Sequence, residues 1–403
     1  MTTRRVVRAA AKYGVLAGAL AVVIAAGVIV TVATRSGSGA GEHPKAYTVT
    51  AAISGCGTGW SDAKAGTQTF DVKNTSIAGM EVYLQAASSK SVYLDLEALG
   101  AGTTTRANVT IGAGEYRFIC LPADEDPIAG PVVSVTGDVH VANATPGIVP
   151  VTQNDLIPAS KQYGAWIESR LPTLEADAQA LSSDVAAGDL GKARADWLTA
   201  HLEYESLGAA YGAFGDADTA INGMPASGRT ALGDPDLTGF HKIEALLYSG
   251  APAPEIAPLA TQLVADIDHL RTDFPHARIE PLDIGLRAHE ILENALQFEL
   301  TGKTDAGSHT NLATVDANLT GTVQALEPLR GILKSRYPDL AETDAAIAAS
   351  KKLVESFRAP DGSWMPLQSL STTQREDVDA QIDKTIELLA PIAAICDVRR
   401  SAS

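Results

Sequence analysis

Cysteine is scarce in this chain, which has only Cys56, Cys120 and Cys396 among its 403 residues. Three thiols allow at most one intramolecular disulfide, and none of them lies in a CxxC or Cys/His pattern. A disulfide-rich scaffold and a zinc module are therefore excluded. Stability has to come from packing, and a hydrophobic content of 45% argues against wholesale disorder.

Basic residues are also in short supply, since 31 Lys and Arg stand against 48 Asp and Glu and leave a net charge of −17. Such a surface repels phosphate backbones and attracts cations, so we expect no nucleic-acid partner. The chain also lacks a GxSxG elbow, a P-loop and a Rossmann glycine pattern. The usual motifs of serine hydrolases and nucleotide-binding proteins are thus absent.

One long uncharged run, residues 13–34, is present near the N-terminus. Its 22 residues, at about 1.5 Å each, can cross a hydrocarbon layer of roughly 30 Å. Four basic residues in the preceding segment 1–12 keep that segment cytoplasmic and direct the rest of the chain outside. The run exceeds the h-region of a signal peptide, about 7–15 residues, which favours a retained transmembrane anchor over a cleaved signal. We expect a protein on the extracytoplasmic face of the cell membrane, in the periplasm or cell envelope, N-terminally anchored or secreted.

The exported part has two regions of different periodicity. After a Gly/Ser linker at 35–44, residues 45–141 carry short alternating apolar runs separated by turn residues, which predicts a β-sandwich of about seven strands. A second linker at 142–155 leads to residues 156–403, where the apolar period is helical. Gly188 is expected to end a first helix and Asp189 to cap the next. The sequence therefore predicts a multi-domain protein, a β-sandwich followed by an all-α helical bundle.

The strongest local motif is TGFHKIEALLY (238–248), in which His241 and Glu244 lie three residues apart on one helix face. Such a pair presents one nitrogen and one oxygen to a metal, but on spacing alone a structural ion pair or cap is favoured. Ala245 occupies the place of the second His of an inverzincin protease. Further candidates in the helical region are His201, Glu205, His289, Glu290, Glu293 and His309.

In the β-region, GEYRFIC places Cys120 at the end of a late strand, and no His follows it. A blue-copper site needs two His and usually a Met around its Cys, so this class is disfavoured. A Cys56–Cys120 disulfide is the preferred interpretation for an exported domain. A metal site that includes Met80 and Glu81 is the alternative.

The order of these parts resembles the EfeO family, the extracytoplasmic components of EfeUOB iron-uptake systems, over residues 45–400. The resemblance is carried by four segments: YGAFGDAD (211–218), TGFHKIEALLY (238–248), ELTGKTD (299–305) and SHTNLATVDANLTG (308–321). It implies a cupredoxin-like domain followed by an imelysin-like domain, with an EfeU-type iron permease and an EfeB-type haem peroxidase as partners.

The resemblance also implies specific residues. Metal binding would centre on the GxHxxE motif, here Gly239, His241 and Glu244. Other family positions fall on Tyr204, Glu205, Glu293, Ser308, His309, Thr310 and the cupredoxin cysteines Cys56 and Cys120, with Met80 or Glu81 aligned only loosely.

We therefore expect a non-enzymatic iron-binding protein, which takes Fe2+ or Fe3+ with zinc or copper as alternatives, since carboxylates with one His suit such ions. An imelysin-type zinc metallopeptidase is the alternative, although the missing second His argues against it. No sequence feature favours a third function, an adhesion or carbohydrate-binding module.

Overall fold

The computed structural model describes residues 46–123 and 125–398. The predicted cytoplasmic segment, transmembrane run and first linker, together with Asp124, lie outside these residues. Among the helices that are described, none is long and apolar enough to cross a membrane.

The N-terminal region consists of two packed β-sheets. The first has the strand order β2-β1-β3-β6, and the second has the order β5-β4-β7-β8, with β9 also pairing with β7. Among the paired strands of the described residues, β1 and β3 alone run parallel, with Val49 opposite Val72. The strands are β1 (Tyr47–Ala52), β2 (Gly55–Thr58), β3 (Gly66–Asn74), β4 (Met80–Ala86), β5 (Val92–Leu99), β6 (Thr104–Ile111), β7 (Gly114–Pro122), β8 (Ile128–Ala129) and β9 (Val133–Val135).

The alternating pattern of the strands produces the sandwich core. Phe70 of β3 and Phe118 of β7 meet edge to face between the sheets with ring centroids 5.1 Å apart, and Trp60 packs against both. The prediction of a β-sandwich is thus confirmed, with nine strands in the described residues instead of about seven. The two extra strands, β8 and β9, have two and three residues and are too short to show an alternating pattern.

Helices follow the sandwich, as predicted. They are α1 (Gln153–Ala187), α2 (Leu190–Glu205), α3 (Tyr211–Phe214), α4 (Asp216–Asn222), α5 (Gly239–Ser249), α6 (Ala253–Asp273), α7 (Asp283–Asn294), α8 (Asn311–Leu326), α9 (Arg330–Leu333), α10 (Leu340–Glu355) and α11 (Thr372–Cys396). A π-helical turn, Ala295–Glu299, continues α7, and short 3₁₀ turns occur at Gly208–Ala210, Phe274–His276, Glu327–Leu329 and Leu367–Ser369.

The helix ends follow local chemistry. Gly188 adopts a left-handed conformation (φ 76°) and ends α1, because its missing Cβ removes the steric penalty there. The side chain of Asp189 accepts a hydrogen bond from the Lys192 N–H and caps α2, as predicted. The apolar stripe of α1, including Tyr163, Ile167 and Leu171, is fully buried against α2 and α6. This packing fixes α2, and with it the first half of the site described below.

The segment between sandwich and helices is held on both sides. Ile148 pairs with Val92 of β5, and the guanidinium Nε of Arg336 donates to the carbonyl oxygen of Val149 at 2.9 Å. Val151 is buried in the helical core, and Thr152 caps α1. The predicted linker at 142–155 is therefore mostly exposed over 142–147 and packed around Pro150 and Val151, and it ends earlier than predicted, because α1 begins at Gln153.

Candidate functional site

Two His–Glu pairs face each other on neighbouring helices. On α5, His241 Nδ1 lies 3.6 Å from Glu244 Oε2, and both side chains are buried. On α2, His201 Nε2 lies 3.3 Å from Glu205 Oε1, again with both side chains buried. The centroids of the two imidazole rings are 5.6 Å apart. The two helices thus bring two imidazoles and two carboxyl groups into one buried region.

Gly239 determines where α5 begins. It has φ 72°, and a Cβ at this position would lie only 2.1 Å from the carbonyl oxygen of Ile221 at the end of α4. Any other residue would push α5 away from α4, because left-handed backbone and close approach both require glycine. The glycine of the motif therefore sets the position of His241, two residues later.

Glu205 is held in its ionised form by side-chain amides. Asn222 Nδ2 donates to Oε1 at 2.8 Å, and Asn318 Nδ2 of α8 donates to Oε2 at 2.9 Å. Burial alone would raise the pKa of this carboxyl, but the neighbouring imidazole of His201 and the two amides outweigh burial and lower the pKa to about 2. Glu205 is thus a charged carboxylate at neutral pH.

Glu244 is held by the backbone of a loop. Its Oε1 accepts hydrogen bonds from the N–H groups of Ala306 and Ser308, at 3.1 and 3.0 Å. The loop is closed by Asp305, whose carboxylate bonds His309 Nδ1 at 2.6 Å and accepts the N–H groups of Gly307 and His309. Oε2 of Glu244 remains directed at His241. The loop at 302–310 therefore orients this ligand.

A third buried carboxylate, Glu299, lies at the end of the π-helical turn. Asn311 Nδ2 donates to its Oε2 at 3.1 Å. Burial is the larger cause, and the negative charge of Glu205 the second, of a rise in the pKa of Glu299 to about 7. Among the residues that the structure describes, no Lys or Arg forms an ion pair with Glu205, Glu244 or Glu299. The cluster therefore holds three buried carboxyl groups without a Lys or Arg counterion in the described residues, and histidines are the basic groups beside Glu205 and Glu244.

Three of the four imidazole nitrogens of the cluster lack hydrogen bonds in the described residues. Within the described part of the chain, Nδ1 and Nε2 of His201 have no partner with hydrogen-bond geometry. The same holds for Nδ1 of His241. Buried polar atoms are normally paired, so unpaired nitrogens beside carboxylates suit a site that completes its coordination with a cation. No group of three or more His, Cys, Asp or Glu side chains in residues 46–123 and 125–398 already has a metal-holding arrangement.

Of the predicted ligands, the structure brings together His241, Glu244 and Glu205. Glu293 lies on α7, where its side chain is about one third exposed and its Oε1 is 3.5 Å from Nε2 of His289 on the same helix face. His309 is half exposed and bonded to Asp305, while Ser308 and Thr310 bond each other through their hydroxyls at 2.8 Å. These loop residues lie beside the pair on α5 because Ser308 N–H bonds Glu244.

Glu299 was not among the sequence candidates, and His201 was a candidate that the predicted set of ligands left out. Glu299 opens the ELTGKTD segment, but the π-helical turn that directs it inward has no signature in the apolar period. His201 lies one helical turn before Glu205 on the face of Trp197 and Tyr204, which is the available signal. Tyr204 itself donates its hydroxyl to Asp218 at 2.6 Å and adds no free oxygen to the cluster.

The cysteines of the sandwich form a disulfide. Cys56 of β2 and Cys120 of β7 are bridged, with Cα atoms 5.8 Å apart, so the bond joins the two sheets. Neither sulfur is then available as a thiolate ligand. Met80 is buried in the sandwich core, and Glu81, next along β4, points to the opposite sheet face. The structure thus contains the disulfide that was preferred from the sequence over a metal site. Cys396 is a free, buried thiol.

Comparisons with known proteins extend these observations. Residues 159–392 match the family model described as Imelysin (Peptidase_M75). The chain is also 23% identical over 336 residues to proteins named "Iron uptake system component EfeO" from Escherichia coli strain K12, Shigella flexneri and Escherichia coli O157:H7. Each alignment covers 82% of this chain and 86% of the relative.

Proposed function

The chain belongs to the imelysin family, and from that premise we propose that it is an extracytoplasmic component of an iron-uptake system that binds iron in the helical domain. The relatives that cover most of its length are named as iron-uptake components. The ligands we propose are His241 and Glu244 of α5 and Glu205 of α2. Iron is the cargo of this site.

The observation that carries the proposal is the pair of buried His–Glu contacts, in which His241 Nδ1 has no hydrogen-bond partner and no Lys or Arg of the described residues neutralises the carboxylates. Uncompensated buried anions are costly, and a bound cation removes that cost. Carboxylate oxygens with an imidazole nitrogen form a donor set suited to iron. The acidic surface, with a net charge of −17, would raise the local concentration of cations.

The remaining parts of the proposal concern the setting. We propose that the chain acts at the outer face of the cell membrane, passes its iron to an EfeU-type permease and works with an EfeB-type haem peroxidase. The sandwich is proposed to be a cupredoxin-like domain whose cysteines serve as a structural bridge. Glu293 and His309, implied as ligands by family resemblance, are proposed to lie outside the immediate coordination of the metal, because their partners are His289 and Asp305.

The test is metal titration of the purified full-length protein and its His241→Ala variant. Fe2+ under anaerobic conditions, Fe3+ as citrate and Zn2+ are titrated by calorimetry, with elemental analysis of the bound metal. We expect iron affinity to fall by more than about 100-fold in His241→Ala, because loss of even an outer partner costs about 10–100-fold. The metal-free variant should unfold within about 0.5–3 kcal/mol of wild type, since helix packing holds the bundle.

His289→Ala is the matched control, because His289 also contacts a glutamate four residues on, but on α7 and beside a carboxylate that is 32% exposed. It should bind iron like wild type. Wild-type affinity in His241→Ala would show that the cluster is not the metal site. A parallel peptidase assay with unstructured peptides tests the metallopeptidase alternative. If wild type hydrolyses the peptides in the presence of zinc and His241→Ala does not, this alternative replaces our proposal.

A further inference from the structure

We infer that His201 is a second imidazole ligand of the proposed iron site, so that α2 and α5 each supply one nitrogen donor to the same cation. This inference rests on the proposed function, and its test separates the two. It changes the donor set from one nitrogen to two.

The first argument is the environment of the His201 ring. The residue is only 3% exposed, yet neither ring nitrogen has a hydrogen-bond partner in the described residues. A histidine that served only to stabilise the fold would bond a carbonyl or hydroxyl through at least one nitrogen. Its contact with Glu205, at 3.3 Å, lacks hydrogen-bond geometry and leaves Nε2 beside a charged oxygen. A cation between these atoms would satisfy both.

The second argument is that the ring is held in position. It stacks on Trp197 with centroids 5.0 Å apart and an interplanar angle of 20°. Trp197 is itself fixed, because its Nε1 donates to the carbonyl oxygen of Phe240 on α5 at 3.0 Å. This bond ties α2 to α5 one residue before His241. The two imidazoles therefore keep their 5.6 Å separation through a direct link between their helices.

The third argument is the spacing on the two helices. His201 and Glu205 are four residues apart on α2, and His241 and Glu244 are three apart on α5, so each helix offers one nitrogen and one carboxylate from one face. Bundle metal sites are assembled from such pairs on facing helices. Two imidazoles would favour transition-metal ions over Mg2+ and Ca2+, which take oxygen ligands. His201 would thus contribute to selectivity as well as affinity.

The competing explanation is that His201 only positions Glu205. Affinity alone cannot separate a ligand from a positioning residue, since both variants bind more weakly. A count of coordinated nitrogens can separate them. We therefore propose Cu2+ as a spectroscopic probe, one equivalent bound to the full-length protein, with the nitrogen couplings measured by electron paramagnetic resonance.

Wild type should show two coordinated imidazoles, and His201→Ala and His241→Ala should each show one. Fe2+ affinity should fall by more than about tenfold in His201→Ala. The ratio of Fe2+ affinity to Mg2+ affinity should also decrease in this variant. His201→Gln keeps the side chain polar and of similar length, so it provides the same readout if His201→Ala fails to fold. His289→Ala should leave the spectrum and the affinity unchanged.

Two results would overturn the inference. If His201 variants keep two nitrogens, or bind Fe2+ like wild type while His241→Ala does not, His201 is not a ligand and the iron site itself stands. If neither His201→Ala nor His241→Ala changes binding, the proposed function fails together with the inference.

Discussion

Replacing Asn318 by alanine should lower both the free energy of unfolding and the affinity of the proposed metal site, because both depend on the hydrogen bonds that its Nδ2 donates to Glu205. Asn318 is buried on α8, and its Nδ2 donates to Glu205 Oε2 at 2.9 Å and to the backbone oxygen of Glu205 at 3.3 Å. The variant leaves a buried, charged oxygen without this donor. Nothing else about the two His–Glu pairs is altered directly.

The pKa of Glu205 sets the magnitude. Its decrease from an ordinary value of 4.5 to about 2 corresponds to roughly 3 kcal/mol of stability at neutral pH, since one pKa unit is worth about 1.4 kcal/mol. His201, Asn318 and Asn222 share this effect, and a hydrogen bond to a charged group contributes about 1.5–3 kcal/mol. We therefore expect Asn318→Ala to lose about 1–3 kcal/mol of unfolding free energy at pH 7.

The sign of the pH dependence follows from the direction of the shift. Because the folded-state pKa lies below the unfolded value, this stabilisation is complete above pH 4.5 and is lost as the pH falls toward about 2. The difference between wild type and Asn318→Ala should therefore be largest at neutral pH and shrink below about pH 4. Iron affinity should fall by about 10–100-fold, as for other outer partners of metal ligands.

Urea unfolding of the metal-free protein, followed by circular dichroism at several pH values, measures the effect, and calorimetry measures iron binding. Asn294→Ala is the matched control, because Asn294 is exposed at the end of α7. The reasoning is refuted if Asn318→Ala matches the control at pH 7. It is also refuted if its destabilisation is the same at every pH, because the loss would then not pass through the charge of Glu205.

Two further predictions concern the sandwich and its connection to the helices. The double variant Cys56→Ala/Cys120→Ala should destabilise the sandwich by about 4 kcal/mol, because the bridge closes a loop with a sequence separation of 64 residues; unchanged thermal unfolding of the β-domain would contradict this. Limited proteolysis should cut within the exposed residues 142–147, and not in the packed part of the segment, to release a stable helical fragment of about 250 residues. Even degradation without that fragment would argue against two separate folding units.

Long periodic elements were predictable from the sequence because their burial depends on one local period. The stripe of α1 from Tyr163 to Val185, the end at Gly188 and the cap at Asp189 all follow from neighbouring residues. The two shortest strands, β8 and β9, depend on pairing with β7 and carry no pattern of their own. Fold class was thus accessible, whereas strand number was not.

The site shows the same division between local and distant information. His241 and Glu244 could be paired by their spacing, and Glu205 could be placed beside the seam through Tyr204. Glu299 and Glu293 could not be distinguished, because a π-helical turn changes the direction of the residues that follow α7. Asn318 reaches Glu205 across 113 positions of sequence, a contact that no local pattern reports.

The backbone bonds to Glu244 have a kinetic consequence. A cation can bind Oε2 of Glu244 directly, but one that binds both carboxylate oxygens also has to displace the N–H groups of Ala306 and Ser308 from Oε1, so this bidentate capture includes a local opening of the loop at 302–310. The observed rate of capture would then level off at high cation concentration, where diffusion-limited capture would keep rising linearly. Release would wait for the same opening. A protein that pulled on this loop would empty the site quickly without touching a single metal ligand.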